Sequence, residues 1–551
     1  MAKFDDLLTH LGTGRWNLLY ACAMGYWSMQ IPYHSMGAAF LTPHMDFACH
    51  HNSHVDSPTN RSQCTYNVTT PAGEDEEQVC TEFDFDNTTY TNTITSEFGL
   101  VCEYSFLRAT FKSVYFMGAF VGSLLNGWIS DRYGRKTMHI AGTLSFIVLG
   151  NAISWLPNIS AILVVRFLMG VGHTSSLETG YTLVMETCEP RLRPVIGIIT
   201  FLPWCLSLIT LGGYGYLLRD WRWLMFTVSL PGVLYLPALW LMGESPRWLI
   251  VRGRHADALR ELRKASRWNK VALPSDEQLR AVMAEIQAEA NETQRQQAGW
   301  PRGLIPALRN LAREVSVLLR TRRMRSITLS LYADFLLVDT VYYGLSLGGD
   351  RFNVDPFSYM ALGGLMETPA NTLTIPLVKL LGRRTSSTMF FVFSAVLLLT
   401  LGVTPSDVGW LVTTMILLGK LSTTAAYMVV YFHANELFPT EVRQRGMSTC
   451  TMVAKIGSMI VPFLVDILGS LGSWVPLVAF GGASLVAAAI SSRLPETRGV
   501  PMKDTIAEIE AYDFRRPRRV THLEDEGFLA LQGRSSQCPG PQSDKGKQFS
   551  P

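Results

Sequence analysis

The side chains able to do chemistry in this sequence are few, and several stand in apolar surroundings. Lys455 lies in Thr451-Met-Val-Ala-Lys455-Ile-Gly-Ser458, and Glu367 in Met366-Glu367-Thr-Pro369-Ala-Asn371. Asp334 and Asp339 lie in Ala333-Asp334-Phe-Leu-Leu-Val-Asp339-Thr-Val-Tyr342-Tyr343-Gly344. An ionisable group at depth in lipid is costly and faces a water-filled space or a partner. A lone cation there can anchor a carboxylate. A carboxylate beside ring faces can hold an ammonium group, each face adding about 0.5–2 kcal/mol. Tyr342, Tyr343, Trp204, Tyr427 and Tyr431 supply such faces. The competing reading of Lys455 is a structural pair with Asp339, Glu367 or Asp466. For Glu367 it is a packing carboxylate near a helix break at Pro369, and for the aromatics it is packing or an interfacial belt. Asp334 and Asp339 are five residues apart, about 500° of helical rotation, so they diverge by about 140°. Asp339 stands three residues before Tyr342, a same-face spacing, and is the better candidate for substrate contact. His34, near Gln30 and Tyr33, reads as a packing or hydrogen-bonding group, and Arg166 as structural.

No Ser/His/Asp, metal-ligand or phosphate-loop spacing is found, so the sequence predicts no enzyme, no metal and no cofactor. The 48 Lys and Arg residues nearly balance the 45 Asp and Glu, leaving a net charge of +3. That argues against nucleic acid as a partner.

These residues need apolar helices to hold them. Of the 551 residues, 48% are apolar and 17% are charged, against about 25% charged in soluble domains. Twelve apolar stretches are predicted as membrane-spanning helices, near 16–40, 109–129, 138–157, 160–182, 194–218, 221–242, 326–347, 357–380, 387–404, 408–432, 446–468 and 474–493. The first begins too late and runs too long for a cleaved signal. Arg132, Arg135, Lys136, Arg191, Arg193, Arg383, Arg384, Arg443 and Arg445 fall in alternate short loops. That side is expected to be cytoplasmic, with both termini.

Segment 41–108 is acidic and nearly free of Lys and Arg, which places it outside. It carries Asn-x-Ser/Thr sequons at Asn60, Asn67 and Asn87. It also holds Cys49, Cys64, Cys80 and Cys102, an even set expected to form two disulfides in any of three pairings. Segment 243–325 reads as amphipathic cytoplasmic helices, and the tail beyond 514 as a disordered basic extension. The resulting organisation is 1–242 as a first six-helix bundle including the 41–108 loop, 243–325 as a cytoplasmic segment, 326–494 as a second bundle and 495–551 as the tail.

The second half repeats the first. Gly134-Arg135-Lys136 recurs as Gly382-Arg383-Arg384, Glu186 with Arg193 recurs as Glu436 with Arg443, and Glu244 recurs as Glu496. Such duplication implies a transporter whose substrate binds between two similar bundles. Asp131, Arg132, Arg135, Glu186, Arg193, Glu436 and Arg443 are candidates for ion pairs that lock one conformation. Lys379 replaces the aspartate in the second copy, so the lock there should be weaker or different.

The loop Gly127-Trp-Ile-Ser-Asp131-Arg132-Tyr-Gly134-Arg135-Lys136 resembles the hallmark loop of the major facilitator superfamily. With the cysteine-bearing loop, Arg166-Phe-Leu-Met-Gly-Val-Gly172, Glu244-Ser-Pro-Arg-Trp-Leu249, Asn435-Glu-Leu-Phe-Pro-Thr440 and Leu494-Pro-Glu-Thr-Arg-Gly499, the chain over about 1–510 is similar to the organic cation, organic anion and carnitine transporters of solute carrier family 22. The resemblance implies an all-α polytopic fold of two six-helix bundles and alternating access. In that family the position matching Lys455 is Arg in anion or carnitine carriers and Asp in cation carriers. The position matching Glu367 is Glu in cation and carnitine carriers. The lysine common in anion carriers at the place of Asn371 is absent here. The expected cargo is a small organic ion, foremost a zwitterion of the carnitine, betaine or β-amino-acid type, carried across the plasma membrane. Lys455 would meet its carboxylate, and Asp339 or Glu367 its ammonium group. Organic anion transport, organic cation transport and a non-transporting receptor are the alternatives, and Na+ or H+ coupling is left open.

Overall fold

The computed structural model describes residues 2–49, 64–69, 75–296, 315–352, 354–404, 409–500 and 503–511. Twelve long helices dominate the described residues. They are α1 (Arg15–Ser35), α2 (Phe106–Tyr133), α3 (Arg135–Ala152), α4 (Ile159–Thr187), α5 (Arg193–Leu217), α6 (Trp221–Leu241), α7 (Arg322–Leu347), α8 (Pro356–Leu381), α9 (Arg383–Thr400), α10 (Gly409–Leu437), α11 (Arg443–Gly469) and α12 (Val475–Ser491). The first predicted span ends early at Ser35, and a separate turn of helix, Ala38–Leu41, follows. Six of the helices (α3 to α6, α10 and α11) are long and apolar enough to cross a membrane by length and composition.

Local chemistry sets the ends. Asn158, Asp220 and Asp355 cap α4, α6 and α8 by accepting backbone N–H groups through their side chains. Gly134 (φ 106°, ψ 152°) and Gly382 (φ 91°, ψ 172°) turn α2 into α3 and α8 into α9. That conformation is essentially glycine-only. No break occurs at Pro369: α8 runs through both Pro369 and Pro376. In a bundle, neighbouring groups satisfy the carbonyls that proline leaves free.

The first half packs α4 against α2 and α3. The second packs α9 against α10 and α12, and α7 against α11. The halves meet along α5–α8 and α2–α11. Glycines let α5 and α8 approach closely: a Cβ on Gly364 would lie 2.7 Å from Leu208 Cβ. On the side bearing the 41–108 segment the seam is tight. Ser113 Oγ donates to the Met459 carbonyl (2.7 Å), the His44 N–H donates to Asp350 (2.8 Å), and Phe357 of α8 lies 5.4 Å from Phe40 and 5.5 Å from Tyr90 between ring centroids. These contacts join the halves on this side.

Within the long loop, strands Phe47–Cys49 and Phe83–Phe85 pair antiparallel, as do Thr65–Thr69 and Asp75–Val79. Of the three possible pairings, the disulfides are Cys49–Cys80 and Cys64–Cys102. Asn87 is exposed and Asn67 lies in a strand, while Asn60 and the tail beyond 511 lie outside the described residues. Glu97 anchors the loop to the start of α6. It accepts from Trp221 Nε1 (2.8 Å), Asn92 Nδ2 (3.1 Å) and the Arg222 guanidinium. On the opposite side, helices Ala2–Leu11, Pro246–Val251, His255–Asn269 and Asp276–Gln296 pack against the first half.

Candidate functional site

The deep charged residues divide into those engaged by the protein and those left open. Glu367 of α8 is buried, and Lys420 Nζ of α10 lies 3.5 Å from its Oε1. The same oxygen accepts the Tyr342 hydroxyl (2.9 Å), and Trp204 Nε1 of the first half donates to that hydroxyl (3.3 Å). Lys420 is a partner that the sequence reading overlooked. It stands in Leu417-Leu-Gly-Lys420-Leu, a charge in an apolar run, and the depth rule that singled out Lys455 applies to it equally.

Asp339 is fully buried and bridges three helices. Its Oδ2 accepts the Ser458 backbone N–H of α11 (3.1 Å), and its Oδ1 accepts the Tyr427 hydroxyl of α10 (3.3 Å). Asp334 diverges from it, taking the Ser491 hydroxyl of α12 (2.7 Å). Both Glu367 and Asp339 are engaged by groups of the protein itself, contacts that tie α7, α8, α10 and α11 of the second half together.

Lys455 differs. Its side chain is half-buried, and its Nζ lies 5.7 Å from the Tyr343 ring centroid. Asp339 is within electrostatic range, but no carboxylate of the described residues comes within 4.0 Å of Lys455. Asp466, eleven residues along α11, is not its partner. Tyr343 also touches Phe116 of the first half at 4.7 Å between ring centroids, so Lys455 stands at the seam. Trp204, Tyr427 and Tyr431 are half-buried.

Glu178 of α4 is a second residue absent from the sequence reading. It is exposed, and its two carboxylate oxygens accept Ser123 Oγ (2.9 Å) and Asn126 Nδ2 (3.0 Å) of α2. Lys455 and Tyr431 of the second half lie within electrostatic range of it.

The candidate lock residues gather on the side opposite the 41–108 segment. Arg135 reaches Asp131 (2.8 Å) and lies 3.7 Å from Glu186. In the second copy, where Lys379 is exposed and no aspartate competes, Arg383 gives both Nε (3.1 Å) and Nη2 (2.8 Å) to Glu436. That clamp is different rather than weaker. Arg193 pairs with Asp5 (2.6 Å) instead of Glu186, and Arg443 Nη2 donates to Thr440 (3.2 Å). Arg132 is exposed, its guanidinium 5.4 Å from the Tyr133 ring. Glu244 accepts the Lys136 N–H (3.0 Å) and Glu496 the Arg383 N–H (2.8 Å), so each repeated glutamate caps the helix after its repeated glycine.

Residues 73–508 match the sequence profile of the family described as sugar (and other) transporter. The organic cation transporter protein of Drosophila melanogaster is 29% identical over 96% of this chain and 98% of its own length. Human solute carrier family 22 member 2 is 32% identical over 78% of this chain and 73% of its own. Among solved structures, the inward-open xylose transporter XylE from E. coli covers 90% of this chain at a TM-score of 0.59 and 14% identity, a likeness of fold alone. The chain therefore belongs to solute carrier family 22 within the major facilitator superfamily: it is a multi-pass membrane transporter of the organic cation and organic anion type, and not an enzyme.

Proposed function

We propose that the chain carries a small zwitterionic organic ion across the plasma membrane by alternating access, with Lys455 on the substrate carboxylate. The observation that carries this reading is the state of Lys455: a partly buried lysine at the seam, without an ion pair among the described residues, its Nζ beside the Tyr343 ring. Lys420, a fully buried lysine of α10, is already neutralised by Glu367. A ligand carboxylate at Lys455 therefore neutralises a charge that the protein leaves open, worth about 1.5–3 kcal/mol for a charge-assisted hydrogen bond. Tyr343, Tyr427 and Tyr431 offer ring faces to an alkylammonium end.

Transport then requires the seam to open on the loop side while the Arg135–Glu186 and Arg383–Glu436 clusters hold the other side of each half. With basic residues in the short loops, the termini and the 243–325 segment are cytoplasmic in this reading. The disulfide-bonded 41–108 loop is extracellular, and its sequons are glycosylated. A monovalent organic anion carrier is the second reading, favoured by the same unpaired ammonium group.

The test is uptake of labelled carnitine, β-alanine, choline and a monocarboxylate in cells expressing the chain, with and without sodium. Lys455→Ala is expected to cut uptake of the carboxylated compounds about tenfold or more at unchanged surface expression. Intact carboxylate uptake in that variant overturns the reading, and uptake confined to dianions rejects the zwitterion.

A further inference from the structure

Glu178 differs from Glu367, Asp339 and Asp334 in being exposed, with a hydroxyl and an amide as its hydrogen-bond partners. It lies well inside α4, a 29-residue helix, where a charge in contact with lipid carries a heavy cost. Its donors, a hydroxyl and an amide, occupy one site on each oxygen, while an ionised carboxylate offers about four. The side chain is exposed, and no other described protein donor fills the remaining sites. No Lys or Arg of the described residues lies within 4.0 Å of it. Lys455 faces it from the other half, within electrostatic range but not in contact.

We propose that Glu178, oriented by Ser123 and Asn126, is the seat for the ammonium end of the substrate. This inference rests on the reading of Lys455 as the carboxylate anchor. The first half then presents a negative group across the seam and the second half a positive one. A ligand bearing both charges spans the seam and touches both halves, whereas a simple cation or anion touches one. A ligand shifts a conformational equilibrium only by its differential affinity for the two states. Joining the halves through opposite ends of one molecule gives a zwitterion such a difference, because both contacts hold only when the halves stand at one separation. Choice among zwitterions then follows the distance between their charges.

The experiment compares three ligands of equal chain length, β-alanine, propylamine and propionate, binding to the full-length protein in lipid nanodiscs. The wild type is expected to prefer β-alanine to either singly charged analogue. Glu178→Gln, which keeps the hydrogen-bonding shape, should weaken β-alanine and propylamine about tenfold or more and leave propionate within twofold. Glu178→Asp should recover most of the loss. Unchanged β-alanine affinity in Glu178→Gln overturns the seat, as does an equal loss for propionate, which marks a structural role. Lys455→Gln tests the underlying reading separately: it should weaken propionate and β-alanine and spare propylamine. If Lys455→Gln changes none of the three, the anchor reading fails whatever Glu178 does. A wild type that binds none of them rejects both.

Discussion

The two halves of the molecule repeat each other at their turns and part company in their interiors. At the turns, Gly134 and Gly382 adopt nearly the same backbone conformation, and Glu244 and Glu496 cap the helices that follow. In the interiors, the first half buries Arg166 between the Phe111 and Tyr115 rings (4.5 and 4.7 Å) with the His34 carbonyl at 3.0 Å, and leaves Glu178 open. The second half buries Lys420 against Glu367 and ties Asp339 and Asp334 to neighbouring helices, while Lys455 stands open. A backbone requirement tolerates few residue types, so a duplicated turn keeps its glycine and its cap. An interior charge needs only some partner, and each half has met that need with different residues.

The largest effect expected from breaking this comparison is at Lys420. Lys420→Met leaves Glu367 buried without its cation and should cost about 3–5 kcal/mol, read as a loss of thermal stability and surface expression. Lys420→Met combined with Glu367→Leu should recover most of that loss. Lys455→Met, the same change at the open site, should leave stability within about 0.5 kcal/mol. Equal destabilisation by the two single variants would erase the distinction between engaged and open lysines. At the repeated turns the halves should behave alike. Gly134→Ala and Gly382→Ala are each expected to cost about 1–3 kcal/mol in thermal unfolding, since alanine strains that backbone region and its Cβ meets the capping glutamate. A clear inequality would show that one turn relaxes and the other does not.

The smallest effect concerns the loop that only the first half carries. Burial raises the Glu97 carboxyl, but hydrogen bonds from Arg222, Trp221 and Asn92 outweigh it and hold the group below the ordinary glutamate range. A depressed carboxylate stabilises above its unfolded value, and that contribution is lost as pH falls through the folded one. Glu97→Gln should therefore lower thermal stability slightly at neutral pH. The gap between it and the wild type should close as pH drops below the ordinary glutamate range. A gap that persists in acid would assign the loss to geometry rather than charge.

The helices were legible because apolar runs of about 20 residues have one solution in lipid. The duplication was legible because turn glycines and their capping glutamates keep both type and spacing. The partners of Glu367 and Asp339 were not. Lys420 lies 53 positions from Glu367 and Ser458 lies 119 from Asp339, and no periodicity links such positions. Glu178 showed the same signal as Lys455, a charge within an apolar run, yet depth alone does not separate an open group from a paired one.

The amino-acid sequence by itself determined the membrane class, the number of long helices, the repeated turns and the loop that holds the four cysteines, because these follow from apolar run length, local backbone demands and composition. Only the tertiary structure decided which cysteines join, which carboxylates the protein neutralises from within, and which two charges stand open on opposite sides of the seam. Those outcomes depend on side chains from distant helices arriving at the same few ångströms, and desolvation makes each such encounter either a satisfied pair or an exposed charge.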